Sequence, residues 1–394
     1  MSGAVGDRIL AMQASLAGFL SFFETYEAAV GDPEACDFCF GNPHEMPLPQ
    51  IGEAIARWST PQHERWFEYQ TSQPRAVASV VATLRRRLGI DIEPADVALT
   101  TGAFGALSAT LRAVVDAGDE VMYLSPPWFF YPQMIMTLGA TPVRVDLASP
   151  TFELPLAAIE AAITKRTRAI IVNSPHNPSG RILQPDELAG LAEVLRGASA
   201  AGGRPVYLIS DEAYNRIVFD GSAFHSPLSY YDRSFLIYTY GKTLLAPGQR
   251  LGYVAMPPTM PDRPALRLAL LTAQVINGHQ FPNAVMQFAL PELEDVSVDI
   301  DALQRRRDRV VSALAGMGYE TIRPAGTFYV LVRSPLEDDA AFAGLLAKRK
   351  VHVLPGAVFE LPGWFRLSLT ANDDMVERSL PAFEAAMAEA TAPA

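Results

Sequence analysis

Seven short apolar runs recur along the middle of the chain: 97–101 (VALTT), 120–124 (EVMYL), 142–145 (PVRV), 169–172 (AIIV), 206–210 (VYLIS), 235–239 (FLIYT) and 252–256 (GYVAM). Runs this short and this apolar, with Gly/Pro clusters such as SPP (125–127) and NSPHNPSG (173–180) at their ends, read as strands buried on both faces. Segments of helical texture lie between several of them, including the stretch after Gly102 and residues 185–197. Alternating strand and helix predicts an α/β fold with a mostly parallel sheet of seven strands between helices. After about residue 290 the pattern changes. A charged helix (DALQRRRDRVVSALAGM) is followed by TFYVLVR, VHVLPG and WFRLSLT, which predicts a smaller α+β domain. A chain of 394 residues exceeds one core. The expected division is a large domain over 45–288 and a small one made of 1–44 together with 289–394.

At the start, Ile9, Met12, Leu16, Phe19, Leu20 and Phe23 recur at helical spacing. This predicts one amphipathic surface helix over 9–23, docked on the small domain. A secretory signal is the competing reading, but Asp7 stands beside Arg8, and Gln13, Ser15 and Ser21 interrupt the apolar run. No other segment is long and apolar enough for a membrane span, so a cytoplasmic location is expected.

Composition narrows the function classes. Hydrophobic residues make up 49% and charged residues 19%, as in ordinary globular proteins, and the formal net charge is -11. A nucleic-acid or anionic-membrane binder needs a basic face, which this balance argues against. An anionic small molecule needs only one local cationic pocket. The two cysteines, Cys36 and Cys39, form a CxxC in ACDFCFG. A zinc site wants four ligands, and no second Cys/His pair stands at ligand spacing, so two structural thiols in a short strand are expected, and no metal.

Four places at strand ends carry candidate chemistry, because open α/β sheets bind ligands there. In TTGAFGAL, Gly102 and Gly105 allow close backbone approach, and the following helix would aim the amides of Ala103 and Phe104 at an anion. The spacing is not that of a nucleotide P-loop, and such a turn is as often merely structural. In NSPHNPSG, Asn177 sits in a proline-constrained turn, either structural or a donor to a ligand oxygen. In YLISDEAYNRIVF, Asp211 ends a buried run, with Tyr214 three residues on; Asp211 is either a helix cap or a buried carboxylate in want of a cation. In IYTYGKTLLAPGQRLGY, Lys242 follows a strand in apolar surroundings, where desolvation would make its amine a nucleophile and proton carrier. Arg250 follows after the Pro247-Gly248 turn, so both cations can face one site.

In order, these motifs resemble the class I/II aminotransferases of the pyridoxal-phosphate fold type I, from about residue 35 to 385. The match comprises a Gly turn, GDEV then PPW, NPSG, Asp-x-x-Tyr, a lysine with an arginine eight residues later, and a late FRLSL. The resemblance implies pyridoxal 5'-phosphate as cofactor, linked to Lys242 as an aldimine. It implies that Asp211 keeps the pyridine nitrogen protonated, that Asn177 and Tyr214 bond the ring's phenolic oxygen, and that Trp128 stacks on the ring. Ala103, Phe104, Thr239 and Arg250 would bind the phosphate beside Gly102, with Tyr69 reaching in from a partner subunit. Arg366 would clamp the substrate α-carboxylate in a two-pronged pairing that lysine cannot supply, with Gly41 nearby.

The implied reaction moves an α-amino group from an L-amino acid to a 2-oxo acid by a ping-pong route, in a homodimer with shared sites. A lyase or synthase of the same fold, acting by β-elimination, γ-replacement or cyclisation, is the alternative. A DNA-binding regulator built on this fold is not expected, since no basic helix-turn-helix precedes it. Three departures from the family pattern stand out: Gly241 before the lysine where serine is common, Pro74 and Ser79 after Tyr69, and His279 and Gln280 in NGHQFPN. The aromatic run Trp128–Tyr131 leaves open whether bulky donors are favoured or the rings are core, and no second arginine for an acidic side chain is assignable.

Overall fold

The computed structural model describes residues 4–27 and 30–392. All seven apolar runs are strands of one sheet. They are β1 (Val97–Thr100), β2 (Glu120–Ser125), β3 (Thr141–Asp146), β4 (Thr167–Asn173), β5 (Tyr207–Asp211), β6 (Ser234–Thr239) and β7 (Gly252–Ala255), in the spatial order β1-β7-β6-β5-β4-β2-β3. Only β7 runs against its neighbours, pairing antiparallel with both β1 and β6. The other pairs, β6–β5, β5–β4, β4–β2 and β2–β3, are parallel. Side chains alternate between two cores: Ile171, Ile209 and Ile237 pack into one, and Met122, Val172 and Leu208 into the other. That is why the strands read as unbroken apolar runs.

A second sheet has the order β10-β11-β9-β8, with β8 (Thr321–Ile322), β9 (Tyr329–Arg333), β10 (Leu354–Pro355) and β11 (Trp364–Ser368), every pair antiparallel. Its core includes Phe328, Val330, Phe365 and Leu367 against helix residues Leu314, Phe342 and Phe383. Cys36–Asp37 forms the expected short strand, paired with Val351–His352. Both cysteines are buried and free.

The amino-terminal helix departs from expectation. Two helices replace the single one, α1 (Asp7–Ser15) and α2 (Ala17–Glu27), with the break at Leu16. Nor is the small sheet their only support. Helix α1 lies on the large sheet's layer, where Arg8 donates to the Thr137 carbonyl at 3.1 Å and Gln133 to Ser15 Oγ at 3.1 Å. Phe19 of α2 packs on Phe129, with ring centroids 4.8 Å apart. The periodicity fits a straight helix, but burying two apolar faces against different partners requires a bend.

Two further helices position the chemistry. Helix α3 (Gly102–Val114) starts directly beyond β1, and α4 (Tyr131–Thr137) follows the loop after β2. No helix among the described residues is long and apolar enough to cross a membrane.

Candidate active site

One cavity of about 560 Å³ opens at the carboxyl ends of the parallel strands. Gly41, Ala103, Phe104, Trp128, Asn177, Asp211, Tyr214, Thr239, Lys242, Arg250 and Arg366 all line it. Parallel pairing aligns their origins: Asn173 at the end of β4 is in register with Asp211 at the end of β5, and Asp211 with Ile237 near the end of β6. Two expected residues lie outside. Gly102 sits behind the wall, and Tyr69 is 84% exposed, its ring centroid 4.7 Å from that of Phe281.

Lys242 stands on a single helical turn, Tyr240–Thr243, whose start is capped by the Thr239 hydroxyl. Its Nζ lies 5.6 Å from the ring centroids of both Tyr214 and Phe328 and makes no ion pair within the described residues. The chain has four lysines, Lys165, Lys242, Lys348 and Lys350. The other three are exposed, so Lys242 alone presents an amine to the cavity. Gly241 beside it is packed: a Cβ there would lie 3.0 Å from Pro247 Cα. A serine at this position would need the Pro247 backbone to give way, which accounts for the departure noted above.

Asp211 is a buried carboxylate with no cation in contact among the described residues. It accepts hydrogen bonds from the Tyr131 hydroxyl at 2.6 Å and the Ala213 amide at 3.1 Å. Burial raises its pKa, and those two bonds, with the more distant Lys242 charge, oppose the rise. A carboxylate so placed favours a cationic N–H donor arriving from the cavity. The loop after β4 is knotted onto the same strand end. Asn173 donates to the Asp211 carbonyl at 2.8 Å and accepts from the Asn177 amide at 2.7 Å.

Arg366, on β11, is buried and braced on three sides. It donates to Asn177 Oδ1 at 2.8 Å and to the Cys39 carbonyl at 2.9 Å, and its guanidinium lies 3.8 Å from the Tyr329 ring centroid. Its Nε is buried with no partner among the described residues. An unsatisfied buried guanidinium N–H is costly, so this group is poised for an anionic oxygen. Burial pushes the Tyr329 phenol up, but the charges of Arg366 and Lys242 outweigh it and bring its pKa below the usual value. The Tyr214 hydroxyl, pushed up by burial, stands 3.4 Å from it as a donor. Gly41 is held to glycine by this packing, since a Cβ would lie 2.6 Å from the Phe328 ring.

At the other cationic corner, Arg250 adopts a left-handed backbone conformation (φ 48°) and donates to the Pro247 carbonyl at 2.8 Å. Gly102, at φ +75°, passes close beneath it: a Cβ would lie 2.9 Å from Arg250 Nη2. The first amides of α3 have no side-chain cap, so those of Ala103 and Phe104 are free for an anion beside the guanidinium.

Sequence reasoning left Tyr131 open between pocket and core without its bond to Asp211, and missed Tyr329 and Asn173 as site residues, as well as Phe19, Phe23 and Tyr26 of α2, which line the cavity. Tyr131 and Tyr329 lie in apolar runs that read as core. Only tertiary structure brings the Tyr131 hydroxyl to a carboxylate 80 positions away.

Comparison with known proteins agrees with this geometry. Residues 33–383 match the family Aminotransferase class I and II. The chain is 31% identical over 334 residues to the probable aspartate/prephenate aminotransferase of Aquifex aeolicus, an alignment covering 80% of this chain and 82% of that protein. It is 32% identical over 336 residues to the aspartate/prephenate aminotransferase of Cereibacter sphaeroides, covering 79% and 81%. Among solved structures, an amino transferase from Eubacterium rectale superposes with a TM-score of 0.90 at 28% identity, covering 99% of this chain and 100% of that one. The Thermus thermophilus aspartate aminotransferase with maleate superposes at 0.82 with 26% identity, covering 98% and 100%. Members of the matched family depend on pyridoxal phosphate, and their fold is the one described above. By sequence over most of its length and by fold over nearly all of it, this chain belongs to the class I and II aminotransferases.

Proposed function

We propose that the cavity holds pyridoxal 5'-phosphate on Lys242 and that the chain moves the α-amino group of an L-amino acid to a 2-oxo acid. The observation that carries this is the pairing, in one cavity, of the one lysine not exposed at the surface with a buried carboxylate that has no cation in contact among the described residues. The residues fit the group. Asp211 would hold the pyridinium N–H, with Tyr131 and Ala213 fixing the carboxylate's direction. Asn177 and Tyr214 offer donors for the phenolic oxygen, and Trp128 offers a flat face to the ring. Arg250, Thr239 and the amides of Ala103 and Phe104 form the phosphate end, beside Gly102. When bound, the cofactor supplies an electron sink for the charge left at the substrate Cα.

The chain's own residues do the rest. Arg366, with Gly41 close by, orients the α-carboxylate through its braced guanidinium plane at the cavity wall. Lys242, whose amine faces the cavity, takes the Cα proton and returns it. The half-buried aromatic rings around the cavity limit water there.

The two separate sheets support a division into domains at 45–288 and at 1–44 with 289–394, with α1 reaching across onto the large sheet's layer. A homodimer is favoured by exposed apolar side chains on α5 (Arg263–Ile276), where Leu268, Leu271 and Val275 share one helical face, and by the exposed pair Tyr69 and Phe281. Tyr69 would then serve a partner's phosphate end. A cytoplasmic location accompanies this reading.

The test is the half-reaction. Holoenzyme given an amino acid, with no acceptor present, should convert its cofactor to the amine form and release one 2-oxo acid per site. Release of an elimination product with no amine form from any donor would favour the lyase or synthase alternative instead.

A further inference from the structure

The cavity lining divides by chemistry. One part is polar: Lys242, Asp211, Asn177 and Arg366. The remainder is an aromatic enclosure to which the amino-terminal helix contributes directly, through Phe19, Phe23 and Tyr26. Phe19 stacks on Phe129 at 4.8 Å and meets Phe130 edge-on at 5.4 Å, and Phe104 meets Trp128 edge-on at 4.6 Å. Helix α2 is fixed in place by Tyr26, whose hydroxyl donates to Asp37 Oδ2 at 2.6 Å and whose ring meets Phe40 at 5.0 Å. Even so, Phe23 remains 37% exposed and Phe104 42% exposed, leaving apolar ring surface uncovered at the cavity.

Charge points the same way. The cations lining the cavity among the described residues are Lys242, Arg250 and Arg366. The proposed function uses all three: for the cofactor, its phosphate and the α-carboxylate. The only charged residues of α2 are Glu24 and Glu27, and Glu27 lines the cavity. Among the described residues of this chain, a substrate side chain ending in a carboxylate would meet no unclaimed cation and would face a like charge. An apolar one would cover the open ring surfaces.

We infer that this site selects amino acids with a large apolar or aromatic side chain, and that α2 is the wall that reads it. The inference rests on the aminotransferase reading and goes beyond it by naming the substrate class. It sets this chain apart from relatives whose names specify aspartate.

The experiment is a single-turnover comparison of phenylalanine, leucine, alanine and aspartate on the holoenzyme. The expected kcat/KM for phenylalanine or leucine exceeds that for aspartate by roughly 100-fold. Phe19→Ala is expected to lower the phenylalanine-to-alanine ratio by about 10-fold, as loss of apolar contact in a pocket does. Phe23→Ala, at an exposed position that tolerates truncation, shifts the ratio in the same direction. Retention of the cofactor absorption band shows that each variant is folded.

Aspartate reacting as well as phenylalanine and leucine would overturn the substrate class while leaving the aminotransferase reading intact. Ratios unmoved in both variants would overturn the role of α2. No reaction with any amino acid would overturn both readings.

Discussion

Arg366 acts through shape as much as charge. Its plane is set by Asn177, by the Cys39 carbonyl and by the Tyr329 ring, so a lysine would keep the charge and lose all three supports. Arg366→Lys should therefore lower kcat/KM for amino acids by about 10- to 100-fold, the size of a lost charge-assisted pair, with the cofactor spectrum unchanged. Steady-state kinetics with the preferred donor checks this.

Glu212, next to Asp211, has a different part. It is buried and accepts hydrogen bonds from Ser226, Asn215 and Ser210 at 2.6, 3.0 and 3.1 Å. Burial pushes its pKa up to about 7 against those bonds, from an ordinary 4.5. Between these values the folded state holds the proton more tightly than the unfolded one, so this group's contribution to stability falls as pH rises through the window. Buried His176, lowered to about 4, works in the opposite sense below its ordinary value. Comparison with a variant isolates the Glu212 effect. Glu212→Gln should gain stability relative to the parent as pH rises from 5 to 7, by at most about 1.4 kcal/mol per pH unit. The Asn215 amide, whose Oδ1 is buried with no partner among the described residues, can turn over to accept the new NH2. Denaturant melts at both pH values measure the difference.

At this scale Lys242 and Asp211 were legible because each stands at the end of an apolar strand, where a charge is conspicuous, and Arg250 because it follows a Pro-Gly turn close after Lys242. Tyr131 and Tyr329 were not, because a hydroxyl on an aromatic ring does not interrupt an apolar pattern.

Elements were legible where burial is two-sided. The seven strands stand out because both faces of the sheet are covered, which makes most positions of the inner strands apolar. The amino-terminal helix was harder. Its apolar spacing runs unbroken through Leu16, and no proline marks the bend. The bend exists because α1 finds α4 while α2 finds the cavity, a tertiary choice that periodicity cannot register. Pro74, a departure from the family pattern, is explained locally. It opens helix Pro74–Leu88 at a position that needs no N–H, while the Gln73 side chain caps the amides of Arg75 and Ala76.

The start of α3 is the element most open to test. Gly102 combines a positive φ with a close pass under Arg250. Gly102→Ala should cost roughly 1–2 kcal/mol of stability from the backbone alone. It should also displace Arg250 and weaken cofactor binding by at least about 10-fold. Thermal melts of the apoprotein and cofactor titration separate the two effects.

For the whole molecule, the unexplained surface is the apolar face of α5, with Leu268 65% exposed. On the homodimer reading, this face and Tyr69 are covered by a second copy. Leu268→Arg should then shift the sedimentation coefficient toward the monomer and reduce activity at low protein concentration. A parent protein that sediments as a monomer would remove Tyr69 from the site. The fold class was legible in the sequence because strand alternation and motif order both survive on the linear chain. The aromatic enclosure was not, because its rings come from segments that only folding brings together.

The central claim is that Lys242 carries the cofactor, and the chain's four lysines make it directly testable. Borohydride reduction of the holoenzyme, followed by proteolysis and peptide mass spectrometry, locates the pyridoxyl group. The account predicts stoichiometric modification at Lys242 and none after Lys242→Ala. Modification at Lys165, Lys348 or Lys350 instead, or an unmodified Lys242 in active protein, would contradict it.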